Sequence, residues 1–141
     1  MRHYLLDTNV LIDYLTRREP FGEDATDLMQ AGAASEARLY VASLSFANIE
    51  YIVRRQTSAV QARHLLLRLE QLVEILPVDA TTIRQALAGS FTDFEDGIQY
   101  FVALAHPAIN AIVTRDPKGF RGSALPVISV AQALAELDNP T

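Results

Sequence analysis

Five short apolar runs, "RHYLL", "RLYVAS", "VEILPV", "INAIVT" and "LPVISV", punctuate this chain, and longer stretches of helical apolar spacing separate them. That alternation limits the architecture more than any other feature. A strand buried on both faces reads as a short aliphatic and β-branched run, and two parallel strands need a crossover long enough to hold a helix. The intervening segments fit that need. "TNVLIDYLTR", the stretch from Ala25 to Ala33, "SFANIEYIVRRQ", "SAVQARHLLLRLEQL", "DATTIRQALAGS", "DFEDGIQYFVALAHP" and the terminal "SVAQALAEL" all repeat apolar residues at helical intervals. The expectation is an α/β fold: a three-layer α/β/α sandwich around a mostly parallel central sheet.

Length and composition narrow the functional classes. The 141 residues fit one domain spanning 1–141, and 50% hydrophobic content with 6 Pro and 6 Gly describes a packed chain rather than a disordered or fibrous one. The absence of cysteine excludes disulfides, thiolate catalysis and cysteine-ligated metal centres. No secretory-type apolar segment opens the chain, and no stretch reaches the roughly 18 apolar residues of a membrane span. A cytoplasmic protein with no membrane partner is expected.

The net charge of -5 argues against a generally basic nucleic-acid-binding surface. Arg54, Arg55, Arg63 and Arg68 fall in one region and have two open readings, phosphate contact or solubilisation of helices. The sequence has no Gly-rich phosphate loop or dinucleotide fingerprint, and His3, His64 and His106 lack a zinc-binding spacing.

The acids are better placed. Asp7 ends the first strand and Asp116 follows the fourth, where the carboxyl ends of parallel strands converge on one crevice. Each also has an ordinary structural reading. Asp7 can cap the helix starting near Thr8, Asp116 precedes Pro117 at the start of a short helix, and Asp93 with Asp96 has the spacing of an N-cap and its N3 residue. Alternatively, Asp93 and Asp96 share a helical face and both contribute charge to a metal site.

Taken in order, "LLDTNVLIDYL", "SFANIEYIVRR", "DFEDGIQYFVAL" and "IVTRDPKGF" resemble the PIN-domain family, especially bacterial VapC-like toxins, over nearly the whole chain. The resemblance implies a compact nuclease whose clustered acids hold Mg²⁺ or Mn²⁺ and which cuts RNA. Its pattern falls on Asp7, Asp96 and Asp116 as metal-binding and catalytic residues, with Asn9 and Thr114 supporting the site. At the family's second acidic position stands Asn48, a departure from the commonest four-acid pattern. On a regular α-helix Asn48 faces the site, supporting it by coordinating or hydrogen-bonding metal-bound water, and Glu50, two residues on and turned by about 200°, pairs with Arg54 four residues further. A bent helix or a different helix start would instead bring Glu50 to the site.

Arg115, beside Asp116, is a candidate for substrate phosphate, with an ion pair as the alternative. Asp13 is assigned to the polar face of its helix. Tyr4, Tyr14, Tyr51, Phe91, Phe94, Tyr100 and Phe101 are read as core or interface residues rather than as an RNA platform. The expected partners are an RNA substrate, a cognate antitoxin covering the acidic groove, and a second copy of the chain in a homodimer. Two other classes remain: a PIN-like interaction module no longer needing full acidity, and an acidic α/β receiver or binding domain.

Overall fold

The computed structural model describes residues 1–139, so Pro140 and Thr141 of the expected domain span lie outside the described residues. Strands β1 (Arg2–Leu6), β2 (Ala37–Ala42), β3 (Glu74–Leu76), β4 (Ala111–Val113) and β5 (Val127–Ile128) form one sheet in the order β3-β2-β1-β4-β5. All its pairings are parallel, with Tyr4 opposite Leu39 and Ala111 and Leu6 opposite Val113. Helices α1 (Thr8–Thr16), α2 (Gly22–Ala33), α3 (Ser43–Gln56), α4 (Ala59–Glu70), α5 (Ala80–Ala88), α6 (Phe94–Ala105) and α7 (Val130–Asp138) complete the three-layer α/β/α sandwich.

Strand alternation divides the core into two. Tyr4, Leu6, Leu39 and Val41 face α1 to α4 and α7, while Leu5, Tyr40, Ala42 and Ile112 face α5, α6 and Phe120. A period of two sends successive side chains to opposite faces, so a central strand needs apolar residues throughout. Tyr4, Leu5 and Leu6 accordingly have no exposed surface.

Local chemistry sets several helix starts. Ser58, Asp79, Asp93 and Ser129 each accept a hydrogen bond from the backbone amide three residues on, and Gln132 closes a capping box with Ser129. The last two strands contain three and two residues, fewer than their apolar runs indicate. Pro126 and Ser129 flank β5, whose only strand neighbour among the described residues is β4. At a sheet edge, such short pairing limits the exposed ladder.

Asp13 is the clearest correction to the sequence reading. It is only 2% exposed rather than solvated, because α1 turns this face inward. Tyr51 and Phe94, read as core or interface positions, are exposed, whereas Tyr4 and Tyr100 are buried. Among the described residues, no helix is long and apolar enough to cross a membrane.

Candidate active site

The order in which strands are added reverses at β1: the chain adds β2 and β3 on one side of β1, then β4 and β5 on the other, all of them parallel. Such a switch point opens a crevice beyond the strand ends. Asp7 leaves β1 there, its backbone amide bonded to the Val113 carbonyl at 2.9 Å. It occupies the N-cap position of α1 but makes no side-chain capping bond. Its carboxylate instead bonds to side chains at the end of β4 and on α6, with Oδ2 accepting from Thr114 Oγ1 at 2.7 Å and Oδ1 from Gln99 Nε2 at 2.9 Å.

These bonds connect β1, β4 and α6 through buried groups. Thr114 and Gln99 are fully buried, and Asp7 is 6% exposed. Burial pushes the Asp7 carboxyl above its ordinary pKa, the bonds from Thr114 and Gln99 oppose that rise, and the Glu95 charge adds to it. Thr114 also accepts from the Asp116 amide at 3.0 Å, which orients the turn carrying Asp116.

Asp116 begins a 3-10 turn over Pro117–Phe120, with Pro117 in its first positions. The turn lies against the start of α6. A Cβ at Gly119 would fall far inside van der Waals distance of Asp96 Oδ2 and lie 4.0 Å from Asp116 Oδ2. The missing side chain therefore makes room for the Asp96 carboxylate beside Asp116. Burial, followed by the charges of Asp7, Asp93, Glu95 and Asp116, pushes the Asp96 pKa up to about 7.

Asp93 caps α6, its Oδ1 accepting from the Asp96 amide at 3.0 Å. Capping uses one oxygen, while its charge still reaches Asp96. Asn9 Oδ1 accepts a long, 3.4 Å bond from the Arg115 amide, just before Asp116. Asn48 is half-buried on α3 and makes no side-chain hydrogen bond among the described residues. Glu50 pairs with Arg54 at 3.2 Å, the i,i+4 contact expected from sequence.

Two residues overlooked in the sequence also enter the crevice. Glu95 Oε1 lies 2.9 Å from Thr8 Oγ1, which is 2.8 Å from Ser45 Oγ. A carboxylate only accepts, so the Thr8 proton is best directed to Glu95 while Ser45 donates to Thr8. Gln99 is the other overlooked residue. Its signal was an amide inside the buried "GIQYFVA" run, three residues after Asp96; for Glu95 it was the acid adjoining Asp96 in "FEDG".

Arg115, considered for substrate phosphate with an ion pair as the alternative, makes that ion pair. Its Nε donates to Asp13 Oδ2 at 2.8 Å, and its guanidinium lies 4.6 Å from the Phe21 ring centre. The buried Asp13 carboxylate requires a positive partner, and the planar guanidinium supplies one. The histidines are elsewhere: His3 and His106 flank Tyr40, and His64 is exposed on α4.

The donor set fits a hard divalent cation. Asp7, Asp96, Asp116 and Glu95 offer carboxylate oxygen, the ligand type favoured by Mg²⁺ and Mn²⁺, and a cation would relieve the repulsion at Asp96. As the side chains stand, no group of three or more acidic or histidine residues among the described residues is placed to hold a metal ion on its own. Waters commonly complete Mg²⁺ coordination, so carboxylates need not close the shell themselves.

A family model described as PIN domain matches residues 3–118. Similar solved folds include VapBC from Salmonella typhimurium bound to DNA, at 14% identity and TM-score 0.70, covering 92% of this chain and 99% of that one. Another is VapBC2 from Rickettsia felis bound to a promoter DNA fragment, at 18% identity and TM-score 0.67, covering 90% and 98%. VapC20 from Mycobacterium tuberculosis, a sarcin-ricin loop cleaving toxin, aligns at 14% identity and TM-score 0.63 over 81% and 90%. No curated protein matches the chain. The matched span runs from β1 through Asp116 and includes every acid in the crevice, so the chain belongs to the PIN-domain family.

Proposed function

We propose that this protein is a metal-dependent endoribonuclease, the toxin of a toxin-antitoxin pair, which hydrolyses RNA phosphodiester bonds with Mg²⁺ or Mn²⁺. The observation carrying this reading is the convergence of Asp7, Asp96 and Asp116 at the sheet's switch point, where burial and then the neighbouring acids raise Asp96 to about 7. Similar folds supply the partner and substrate classes: toxin-antitoxin complexes, and a toxin that cleaves the sarcin-ricin loop.

A divalent cation bound there supplies positive charge to activate water and neutralise the phosphate. The protein's residues prepare the site. Thr114 and Gln99 fix both oxygens of Asp7, Thr114 also orients the Asp116 turn, and Gly119 admits Asp96. Asn9 steadies the same turn through the Arg115 amide. Asp93 adds charge from the α6 cap, and Asn48 on α3 would add a neutral amide.

This reading includes a cognate antitoxin and a homodimer. Sedimentation of the protein alone and with the product of an adjacent gene tests both. The competing reading, a PIN-like interaction module, draws support from Asn48 standing at the position expected to hold the second acid.

RNA cleavage decides between them. Purified protein should cut a mixed RNA pool with Mg²⁺ or Mn²⁺, stop on chelation and resume when metal returns. Asp7→Asn and Asp116→Asn should suppress cutting while retaining the wild-type circular dichroism spectrum. Unchanged cleavage by both folded variants rejects the mechanism, whereas metal binding without cleavage across diverse RNAs favours the interaction module.

A further inference from the structure

We infer that Glu95 supplies the fourth carboxylate of the divalent-cation site, taking from α6 the role that an acid on α3 would otherwise fill. The inference rests on the proposed metal-dependent reading. It begins with the two α3 candidates. Asn48 is neutral, and the Glu50 carboxylate is held by Arg54 at 3.2 Å. Neither supplies a free negative charge to the crevice.

Glu95 does. It is half-buried in the first turn of α6, and its Oε1 lies 2.9 Å from the hydroxyl of Thr8, the residue immediately after Asp7. Thr8 also contacts Ser45 in the first turn of α3 at 2.8 Å. The Glu95 carboxylate thus stands where the starts of α1, α3 and α6 meet. Its charge acts on both Asp7 and Asp96.

A structural role alone would make Glu95 a first-turn acid interacting with its own helix dipole, an effect that solvent-exposed acids also provide. Its contact with Thr8 instead brings the carboxylate towards the crevice. Among the described residues, the Arg-acid ion pairs engage Glu74, Glu50 and Asp13, and none includes Asp7, Glu95, Asp96 or Asp116. Four neighbouring acids without an internal cationic partner match an externally supplied cation. Oε1 faces Thr8, leaving Glu95 Oε2 as the oxygen for the ion or its water.

The test is Mn²⁺ titration of the full-length protein by calorimetry, together with the rise in melting temperature caused by Mn²⁺. Glu95→Gln preserves an oxygen acceptor for Thr8 and should weaken Mn²⁺ binding by roughly tenfold or more. Its metal-free melting temperature should match or exceed the wild type, since one repulsive charge is gone. Adding Asn48→Asp to this variant should recover part of the lost affinity by returning a carboxylate from α3. Glu95→Ala should lose Mn²⁺ affinity similarly, providing a second assay if the Gln variant folds poorly.

Wild-type Mn²⁺ affinity in folded Glu95→Gln and Glu95→Ala, alongside lost affinity in Asp7→Asn, would overturn the assignment of Glu95 and leave the three-aspartate site standing. No Mn²⁺ binding by the wild type would overturn both. Equal loss of metal-free stability and no change in Mn²⁺ affinity would mark Glu95 as structural only.

Discussion

The Thr114 hydroxyl donates to Asp7 Oδ2 at 2.7 Å while its oxygen accepts from the Asp116 amide at 3.0 Å, joining the ends of β1 and β4 through one side chain. Thr114→Val retains much of the shape and removes both bonds. An unsatisfied buried partner costs about 1–3 kcal/mol. The variant should melt at lower temperature and lose RNA cleavage, while Thr114→Ser should preserve much of both. Equal stability and activity of Thr114→Val would reject this residue as the link between the two acids.

Arg115 tests a different use of charge. Asp13 is 2% exposed and pairs with a guanidinium whose side chain is 29% exposed. Removing the cation leaves a buried carboxylate unpaired, so Arg115→Ala should destabilise by about 2–4 kcal/mol after allowance for partial exposure of the pair. Arg115→Ala with Asp13→Asn should regain part of that loss in denaturant melts. A phosphate-contact role alone would instead raise the KM for RNA without changing stability.

The apolar rhythm exposed the sandwich because a central parallel strand such as β1 must be apolar on both faces, and its crossover helices carry their own period. It also located Asp7 and Asp116, since polar groups at strand ends interrupt that rhythm. Side-chain direction was less legible. Asp13 lies at a position that a polar-residue rule assigns to solvent, yet Arg115, more than 100 residues away, makes its burial tenable. Glu95 was hidden for a related reason: adjacent helical residues diverge by about 100°, so standing beside Asp96 did not establish that both served one crevice. The contact with Thr8 brings it there.

The Asp96 carboxyl, raised to about 7, produces a pH dependence opposite to that of an ordinary ion-paired acid. Between its usual range and about 7, the folded state binds the proton more strongly than the unfolded state. Its contribution to metal-free stability is therefore present at low pH and lost as pH rises through that window. Asp96→Asn should match the wild type near the lower end and become relatively more stable above pH 7, as measured by chemical denaturation. In the wild type, Mn²⁺ affinity should fall as pH drops through about 7, because protonation competes with the cation. A wild type that instead gained stability relative to Asp96→Asn as pH rose would reject repulsion and burial as the dominant forces on Asp96.

Gly119 carries the sharpest steric prediction because the atom opposing a new methyl group belongs to the candidate site itself. An ideal Cβ there would overlap Asp96 Oδ2, and the neighbouring Asp116 Oδ2 would lie 4.0 Å away. The Asp96 carboxylate is the end of a rotatable side chain, so Gly119→Ala can be accommodated by swinging it aside rather than by disrupting the core. Such a shift costs about 0.5–1.5 kcal/mol if the side chain leaves a favoured rotamer, and relief of carboxylate repulsion offsets part of that cost. Melting temperature should therefore change little while Mn²⁺ affinity and RNA cleavage both fall. The cycle with Asp96→Asn separates displacement from general damage. Once residue 96 no longer supplies a charged ligand, Gly119→Ala should cause little further loss of Mn²⁺ affinity, giving strong non-additivity. Fully additive losses would show that Gly119 acts independently of Asp96, and wild-type Mn²⁺ affinity in Gly119→Ala would show that the seat of this carboxylate does not govern the site.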